Sequence, residues 1–309
     1  MQAALHVTLP VFLIIGAGYL VVWRNLFSDR DVDALMTFTQ KFAIPCLLFS
    51  VISTLDLAAT INFGLLASFY TGATVSFLAG IYGARLLFVR PWQDCVAIGF
   101  CGLFSNLVLL GLPITERAFG PDSLSANYAI IAFHSPFCYA VGITVMEFVR
   151  NKKSGVISTL GSVLKAIFSN ALVIGIMLGL ATNLLDIPVP RMVYEATDLI
   201  ARAALPAALF GLGGVLFRYK PEGDMRVILY AISLSLVLHP AITFTLGNWF
   251  ELPDASLRSA TLAAAMAPGV NTYIFANMYG VAKRVAASTV LIATATSILT
   301  IGFWLSVLP

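Results

Sequence analysis

Two short segments, Cys101-Gly102-Leu103-Phe104-Ser105-Asn106 and Met266-Ala267-Pro268-Gly269-Val270-Asn271, place breaker-like residues and an asparagine in the middle of long apolar runs. Pro268 has no backbone N–H to donate and Gly269 tolerates dihedrals closed to other residues, so the second segment is expected to break a helix. A break at bilayer depth leaves backbone groups unpaired, which costs several kcal/mol unless protein or a wet cavity satisfies them. Half-helices that start at such a break present electropositive ends, and an anion is the guest those ends favour. Asn106 and Asn271 add neutral amide donors, with the hydroxyls of Ser105 and Thr272 beside them. A carboxylate can be held there without a permanently buried charge. Asparagines that merely cap or bridge helices are the plainer alternative.

Two cations also sit deep in apolar runs, Lys41 and Arg202, too far from a helix end for easy snorkelling. Asp198 lies one helical turn before Arg202, so an internal ion pair explains the arginine as well as a substrate contact does. Lys41 has no acidic residue three or four positions away; its partner must be another helix, water or a transported anion. His134 and His239 titrate in the range of a proton relay, though bridging between helices is the commoner use. Pro240 after His239 points to a bend. No HExxH, no GxSxG and no pair of intramembrane aspartates is present, so an enzyme is not expected. Cys46, Cys95, Cys101 and Cys138 all fall in apolar runs without CxxC or Cys/His spacing, so no metal or cofactor is indicated.

The elements that position these residues must be membrane helices. Of 309 residues, 59% are hydrophobic and 11% charged, against about 25% charged in a soluble domain. A helix needs roughly 20 apolar residues to cross about 30 Å of hydrocarbon. Eight stretches meet that length without Asp, Glu, Lys or Arg: residues 4–23, 57–84, 95–115, 123–146, 166–185, 227–250, 259–282 and 285–309. Residues 34–54, with Lys41, and 192–217, with Glu195, Asp198 and Arg202, add two interrupted ones. The fold class is therefore an all-α membrane protein of ten spans, numbered 1 to 10 in chain order.

Basic residues give an independent test of that count, because Lys and Arg near span ends favour the cytoplasmic side. Turns after the odd spans hold Arg24, Arg30, Arg85, Arg90, Arg150, Lys152, Lys153, Lys165, Arg218, Lys220, Arg226, Lys283 and Arg284. Only Arg117, Arg191 and Arg258 fall on the other side. Both termini are thus expected outside the cytoplasm. The net charge of +3 is spread through short turns, which leaves no basic groove for a nucleic acid.

The chain also echoes itself. Ala43-Ile44-Pro45-Cys46-Leu47-Leu48-Phe49 in span 2 is matched 161 residues on by Ala204-Leu205-Pro206-Ala207-Ala208-Leu209-Phe210 in span 7, which also sets Lys41 on Arg202. Ser105-Asn106 with Gly111 in span 4 is matched by Val270-Asn271 with Ala276 in span 9. Pro45, Pro206, Pro268 and Gly269 are the expected helix-breaking positions. Five spans per half is an odd number, so the second copy enters from the opposite side as an inverted repeat, residues 1–150 and 151–309. A basic loop over residues 150–165 is the expected seam. Gly175 and Gly179 form a GxxxG that permits a close packing face or a dimer face.

The Pro45 segment, Phe104-Ser105-Asn106 with Gly111-Leu112-Pro113, the Pro206 segment with Gly211, and Pro268-Gly269-Val270-Asn271 through Ala276 and Tyr279-Gly280 together resemble the auxin efflux carrier family. That family joins plant PIN-type exporters and bacterial organic-anion permeases. The resemblance implies crossed, broken spans 4 and 9, a fold also similar to bile-acid sodium symporters, a scaffold of spans 1, 2, 6 and 7 that is often dimeric, and a moving transport domain of spans 3–5 and 8–10. It implies that Asn106 and Asn271 contact the substrate carboxylate. Two features depart from the family: span 4 has no proline at its break, and the long hydrophilic central loop of many plant members is absent, as in a compact bacterial inner-membrane protein. The expected function is a secondary transporter of small organic anions, working in efflux or exchange by alternating access. An anion leaving a negative-inside cell gains about 2.3 kcal/mol per charge per 100 mV, so ion coupling is not obligatory. A sodium-coupled symporter of the bile-acid type and a passive anion channel are the alternatives. No Asp or Glu lies between Arg258 and the chain end, which weakens an acidic sodium site there; Asp198 and His134 are the groups available for proton coupling.

Overall fold

The computed structural model describes residues 2–57, 62–150 and 156–309, which are helical with no strand among them. In chain order the helices are α1 (Gln2–Trp23), α2 (Asp29–Ile52), α3 (Phe63–Phe88), α4 (Trp92–Leu103), α5 (Leu112–Phe119), α6 (Ser125–Val149), α7 (Val156–Phe168), α8 (Ala171–Leu184), α9 (Arg191–Arg218), α10 (Met225–Trp249), α11 (Asp254–Ala264), α12 (Val270–Tyr279) and α13 (Lys283–Val307). Seven of them, α1, α2, α3, α6, α9, α10 and α13, are long and apolar enough to cross a membrane alone. An eighth is reached if α7 and α8, bent by 79° against one another, count as one span. The expected spans 4 and 9 are discontinuous, each split into two short helices, α4 with α5 and α11 with α12.

Two boundaries differ from those expected of the sequence. Span 3 begins at Phe63, where the Asn62 side chain accepts from the N–H groups of Gly64 and Leu65 and so fixes the helix start; residues 58–61 lie outside the described set. Span 6 begins at Ala171, capped in the same way by Asn170. The residues before it are not a loop but α7, whose helical periodicity is hidden in the sequence because Gly161, Ser162 and Lys165 interrupt it. Lys152 and Lys153 of the expected basic seam lie outside the described residues.

Three of the prolines within helical segments are accommodated by one repeated device. Five-residue π-turns, Thr39–Ala43, Leu107–Gly111 and Leu234–Leu238, each end two residues before a proline, Pro45, Pro113 or Pro240. A proline inside a helix removes one N–H and clashes with the carbonyl four residues back. Widening the preceding turn re-routes the ladder, so that Ile44, Leu112 and His239 donate five residues back to Thr39, Leu107 and Leu234. Pro45 therefore widens α2 without breaking it. In α9 the irregularity is a turn at Arg202–Ala203, just before Pro206.

The GxxxG on α8 packs within the chain. A Cβ on Gly175 would meet the Pro45 carbonyl oxygen at 2.5 Å, and one on Gly179 would meet Ile52 Cβ at 3.0 Å, so both glycines let α8 close on α2. Gly18 and Gly213 serve α1 and α9 likewise, against the backbone of Phe210 and Ile15. Gly175→Ala is expected to cost about 1–3 kcal/mol, because backbone cannot yield as a flexible side chain does. Gly16→Ala, where nothing lies within 4 Å, is expected to leave stability unchanged or raised. Thermal unfolding of the two variants in detergent checks the contrast.

Candidate functional site

Strand-like pairing replaces helix where the two discontinuous spans meet. Asn106 N–H donates to the Ala267 carbonyl at 2.9 Å and Gly269 N–H to the Phe104 carbonyl at 3.1 Å, making an antiparallel bridge between Ser105 and Pro268. In this register the bridge bonds come from the flanking residues, so the missing N–H of Pro268 costs the bridge nothing. The absence of a proline in the first segment is explained in the same way: the second segment supplies the partners its backbone needs. Phe100 of α4 and Phe275 of α12 stack with ring centres 4.0 Å apart, holding the two half-helices side by side.

Two histidines, both packed on the Phe69 ring, hold the bridge at Ser105. His134 of α6 donates from Nε2 to the Ser105 carbonyl at 3.1 Å. His239 of α10 donates from Nε2 to the Phe69 carbonyl at 3.2 Å, and its Nδ1 lies 3.3 Å from the Ser105 hydroxyl. A carbonyl only accepts, so the proton of each ring is on Nε2, and Nδ1 of His239 accepts from Ser105. Both rings are buried and work as bridges between helices. The sequence offers His239 as a relay or a bridge beside the bend at Pro240, but its meeting with Ser105, 134 positions away, is not legible there.

Beside the bridge lies a cavity of about 690 Å³, lined by Lys41, Ser105, Asn106, His134, Gly269 and Asn271 together with Gln40 and Tyr139. Among its lining residues Lys41 is the sole charged side chain. Asn106 is 6% exposed; its Oδ1 accepts from Leu109 N–H at 3.3 Å, and its Nδ2 has no partner within the described residues. Tyr139 donates its hydroxyl to Asn271 Oδ1 at 3.2 Å, which leaves the other end of that amide as a donor. Thr272 is turned away: its hydroxyl donates to the Gly269 carbonyl at 2.8 Å, and it is fully buried outside the cavity lining. Tyr139 and Gln40 do not stand out in the sequence, since nothing in an apolar run tells which tyrosine will reach across to another helix.

Asp198, Arg202 and Pro206 line a different cavity, of about 680 Å³, with Glu116, Arg117 and Pro121. Arg202 is bonded to Asp198 through both Nε and Nη2, at 3.0 and 2.8 Å, the internal ion pair their spacing allows. Arg117 donates to the carbonyls of Val7 and His6 in α1 at 3.0 and 3.2 Å. The Lys41 cavity reaches Ser169 and Met278, near the basic turns, whereas this one reaches Leu55 and Pro121, at the other ends of their helices.

The sequence pattern of the family described as "Membrane transport protein" matches residues 3–305. The chain belongs to that family. The transporter is 24% identical over 297 residues to a Rhizobium meliloti protein named "Putative malonate transporter", covering 95% of this chain and 92% of that one. It is also 24% identical to the Escherichia coli "Uncharacterized transporter YfdV", over 97% and 96% of the two chains. "Auxin efflux carrier component 8" of Arabidopsis thaliana is 21% identical over 92% of this chain and 91% of its own length. The resemblance read from the motifs is borne out, and the transporter is an integral membrane protein.

The hydrogen bonds around Ser105 make a direct stability test of this transporter. His239→Phe leaves the Ser105 hydroxyl without its acceptor and removes the second bond on the Phe69 carbonyl, which keeps its helical one, and is expected to cost about 1–3 kcal/mol. Adding Ser105→Ala to it is expected to cost less than Ser105→Ala costs alone, because the two side chains share one bond. Denaturation midpoints of the two single variants and the double variant check both statements.

Proposed function

We propose that this transporter moves small organic anions, carboxylates foremost, by alternating access around the paired breaks. The observation that carries the reading is the convergence of the Asn106 amide, the Asn271 amide and Lys41 on one cavity beside a helix start at Val270 that has no side-chain cap. The first N–H groups of a helix have no partner inside it, so the site offers donors and one positive charge to its guest. The malonate named in one relative is a guest of this class and small enough for the cavity.

A ten-span inverted repeat, with halves 1–150 and 151–309, underlies this reading. It is supported by backbone features that recur at the spacing of the sequence echo. Six of the eight described residues with positive φ come in pairs 161 or 162 positions apart: Asn25 with Asp186, Val89 with Glu251, Gly120 with Ala282. Close helix pairs recur too, since α1 with the second part of α9 corresponds to α8 with α2 when the halves are exchanged. On this scheme α1, α2, α8 and α9 form the scaffold, through which the protein dimerises, and the other spans move against it. The basic turns face the cytoplasm of a bacterial inner membrane, with both termini on the far side. Driven by membrane potential, the carrier runs in efflux or exchange without an obligatory cation.

Malonate counterflow in sodium-free vesicles tests the proposal. Saturable counterflow is expected, with half-saturation raised roughly tenfold or more in Asn106→Ala and Asn271→Ala, since a hydrogen bond to a charged group contributes about 1.5–3 kcal/mol. Lys41→Gln is expected to weaken it in the same direction. Non-saturable flux, or wild-type half-saturation in both asparagine variants, overturns the reading.

A further inference from the structure

Helix α7 stands apart from the spans by its direction and the way its faces are used. It has 13 residues, about 20 Å at 1.5 Å per residue. It meets α8 at 79°, and α8 runs along α2, with Gly175 on Pro45 and Gly179 on Ile52, so with α2 crossing the membrane α7 runs close to the membrane plane. We propose that α7 lies in the interface of the leaflet on the side of the basic turns, with lipid covering its free apolar face, and that it carries the rim of the Lys41 cavity.

Three faces of the helix support that placement. Val163, 8% exposed, and the partly buried Ile167 pack against the protein core. Leu160, Leu164 and Phe168, four residues apart, form an apolar stripe 53%, 43% and 57% exposed. Gly161 and Lys165 occupy the remaining, polar side and are exposed. A helix in water would not hold three large apolar side chains free on one face beside a lysine, whereas a helix half-sunk among headgroups has this distribution. Beyond the bend the exposed apolar surface resumes on α8 with Ile174, Met177 and Leu178, so the stripe joins a face that already meets lipid. Charge points the same way: Lys165 lies on the polar side, and Arg150, Lys152 and Lys153 precede the helix in sequence, a basic cluster that anionic headgroups attract.

The position matters because the end of α7 and the bend after it contribute Ala166, Ser169 and Asn170 to the cavity lining. A helix seated in the headgroup layer holds the cavity mouth at the membrane surface. This inference rests on the membrane embedding of the chain and not on the identity of the transported guest.

Depth-dependent quenching tests it on the full chain in vesicles of phosphatidylcholine and phosphatidylglycerol. With Cys46→Ala as background, the remaining cysteines being buried, single variants Leu164→Cys, Lys165→Cys and Ile174→Cys carry an environment-sensitive fluorophore. The expected result is that the label at 164 is quenched at least twofold more by nitroxides near the headgroup than by nitroxides at the acyl end, and is shielded from iodide, while the label at 165 is open to iodide. The label at 174 is expected to sit deeper than the one at 164. Stronger quenching at 164 by the deep nitroxide overturns the proposal in favour of a re-entrant or crossing segment. Equal iodide quenching at 164 and 165 places α7 in water, and the absence of quenching at 164 by lipid or iodide places a second protein copy on the stripe; either result overturns it. The depth measurement stands whether or not Asn106→Ala abolishes counterflow, so its failure is separable from failure of the transport reading.

Discussion

The constraint on which the structure turns is the fate of the backbone carbonyls and N–H groups released where α4 and α11 stop inside the bundle. Carbonyls on both sides of the two breaks find donors from other elements. Leu103 O receives the Cys138 thiol at 3.6 Å, Phe104 O the Gly269 N–H, Ser105 O the His134 ring, Met266 O the Ser235 hydroxyl at 3.4 Å, and Ala267 O the Asn106 N–H. A buried unpaired group of this kind costs about 1–3 kcal/mol, so this set decides whether a broken path is tolerable at all. Because donors come from α6, α10 and the opposite break, the four short helices are bound into one unit with their neighbours. The unpartnered Asn106 Nδ2 stands out against that background: in a junction where the carbonyls are matched so fully, a donor left over beside a cavity supports the reading of a donor kept for a guest.

Prolines extend the same logic away from the junction. Pro240 strips the Leu236 carbonyl of its helical partner, and the indole N–H of Trp304 in α13 supplies another at 3.1 Å. Pro10 does the same to His6, and the Arg117 guanidinium fills the place. In both cases the gap left by a proline is used to tie a second helix on, so the residues that weaken a helix locally give it a specific neighbour. For Pro10 the tie joins α1 to α5, at the wall of the cavity that also holds Arg202 and Asp198.

What the sequence makes legible follows from which signals are local. Charge-free runs longer than a bilayer is thick are a one-dimensional property, and among the described residues helix fills every such run, apart from the breaks and trimmed ends already noted. Pro268-Gly269 marks its break for the same reason, since both residues act through their own backbone. The break at Phe104–Asn106 has a weaker local mark because its cause is non-local, namely the bonds exchanged with Ala267 and Gly269. Helix α7 is not legible as a span because a segment interrupted by Gly161, Ser162 and Lys165 falls short of one, and still forms an amphipathic helix. Thr272 is set beside Asn271 by adjacency, yet consecutive residues on a helix point about 100° apart, and it faces inward instead. Tyr139 reaches Asn271 from 132 positions away, a relation that one sequence does not carry.

The two cavities show why equivalent positions in a repeat need not be equivalent in charge. Lys41 and Arg202 occupy matching places, each four residues before a proline. Arg202 is neutralised at hydrogen-bond distance by Asp198, while no salt-bridge partner for Lys41 exists among the described residues. The difference reduces to one residue in each half: the position one turn before Arg202 is Asp198, and the position one turn before Lys41 is Thr37, a hydroxyl that carries no charge. An ion pair four residues apart on a helix holds its two charges together whatever else enters the cavity. A lysine without such a partner keeps its attraction for an anion, so the cavity beside the paired breaks, where Lys41 faces no acid, is net positive, whereas around Arg202 two arginines, Arg117 and Arg202, are balanced by Glu116 and Asp198.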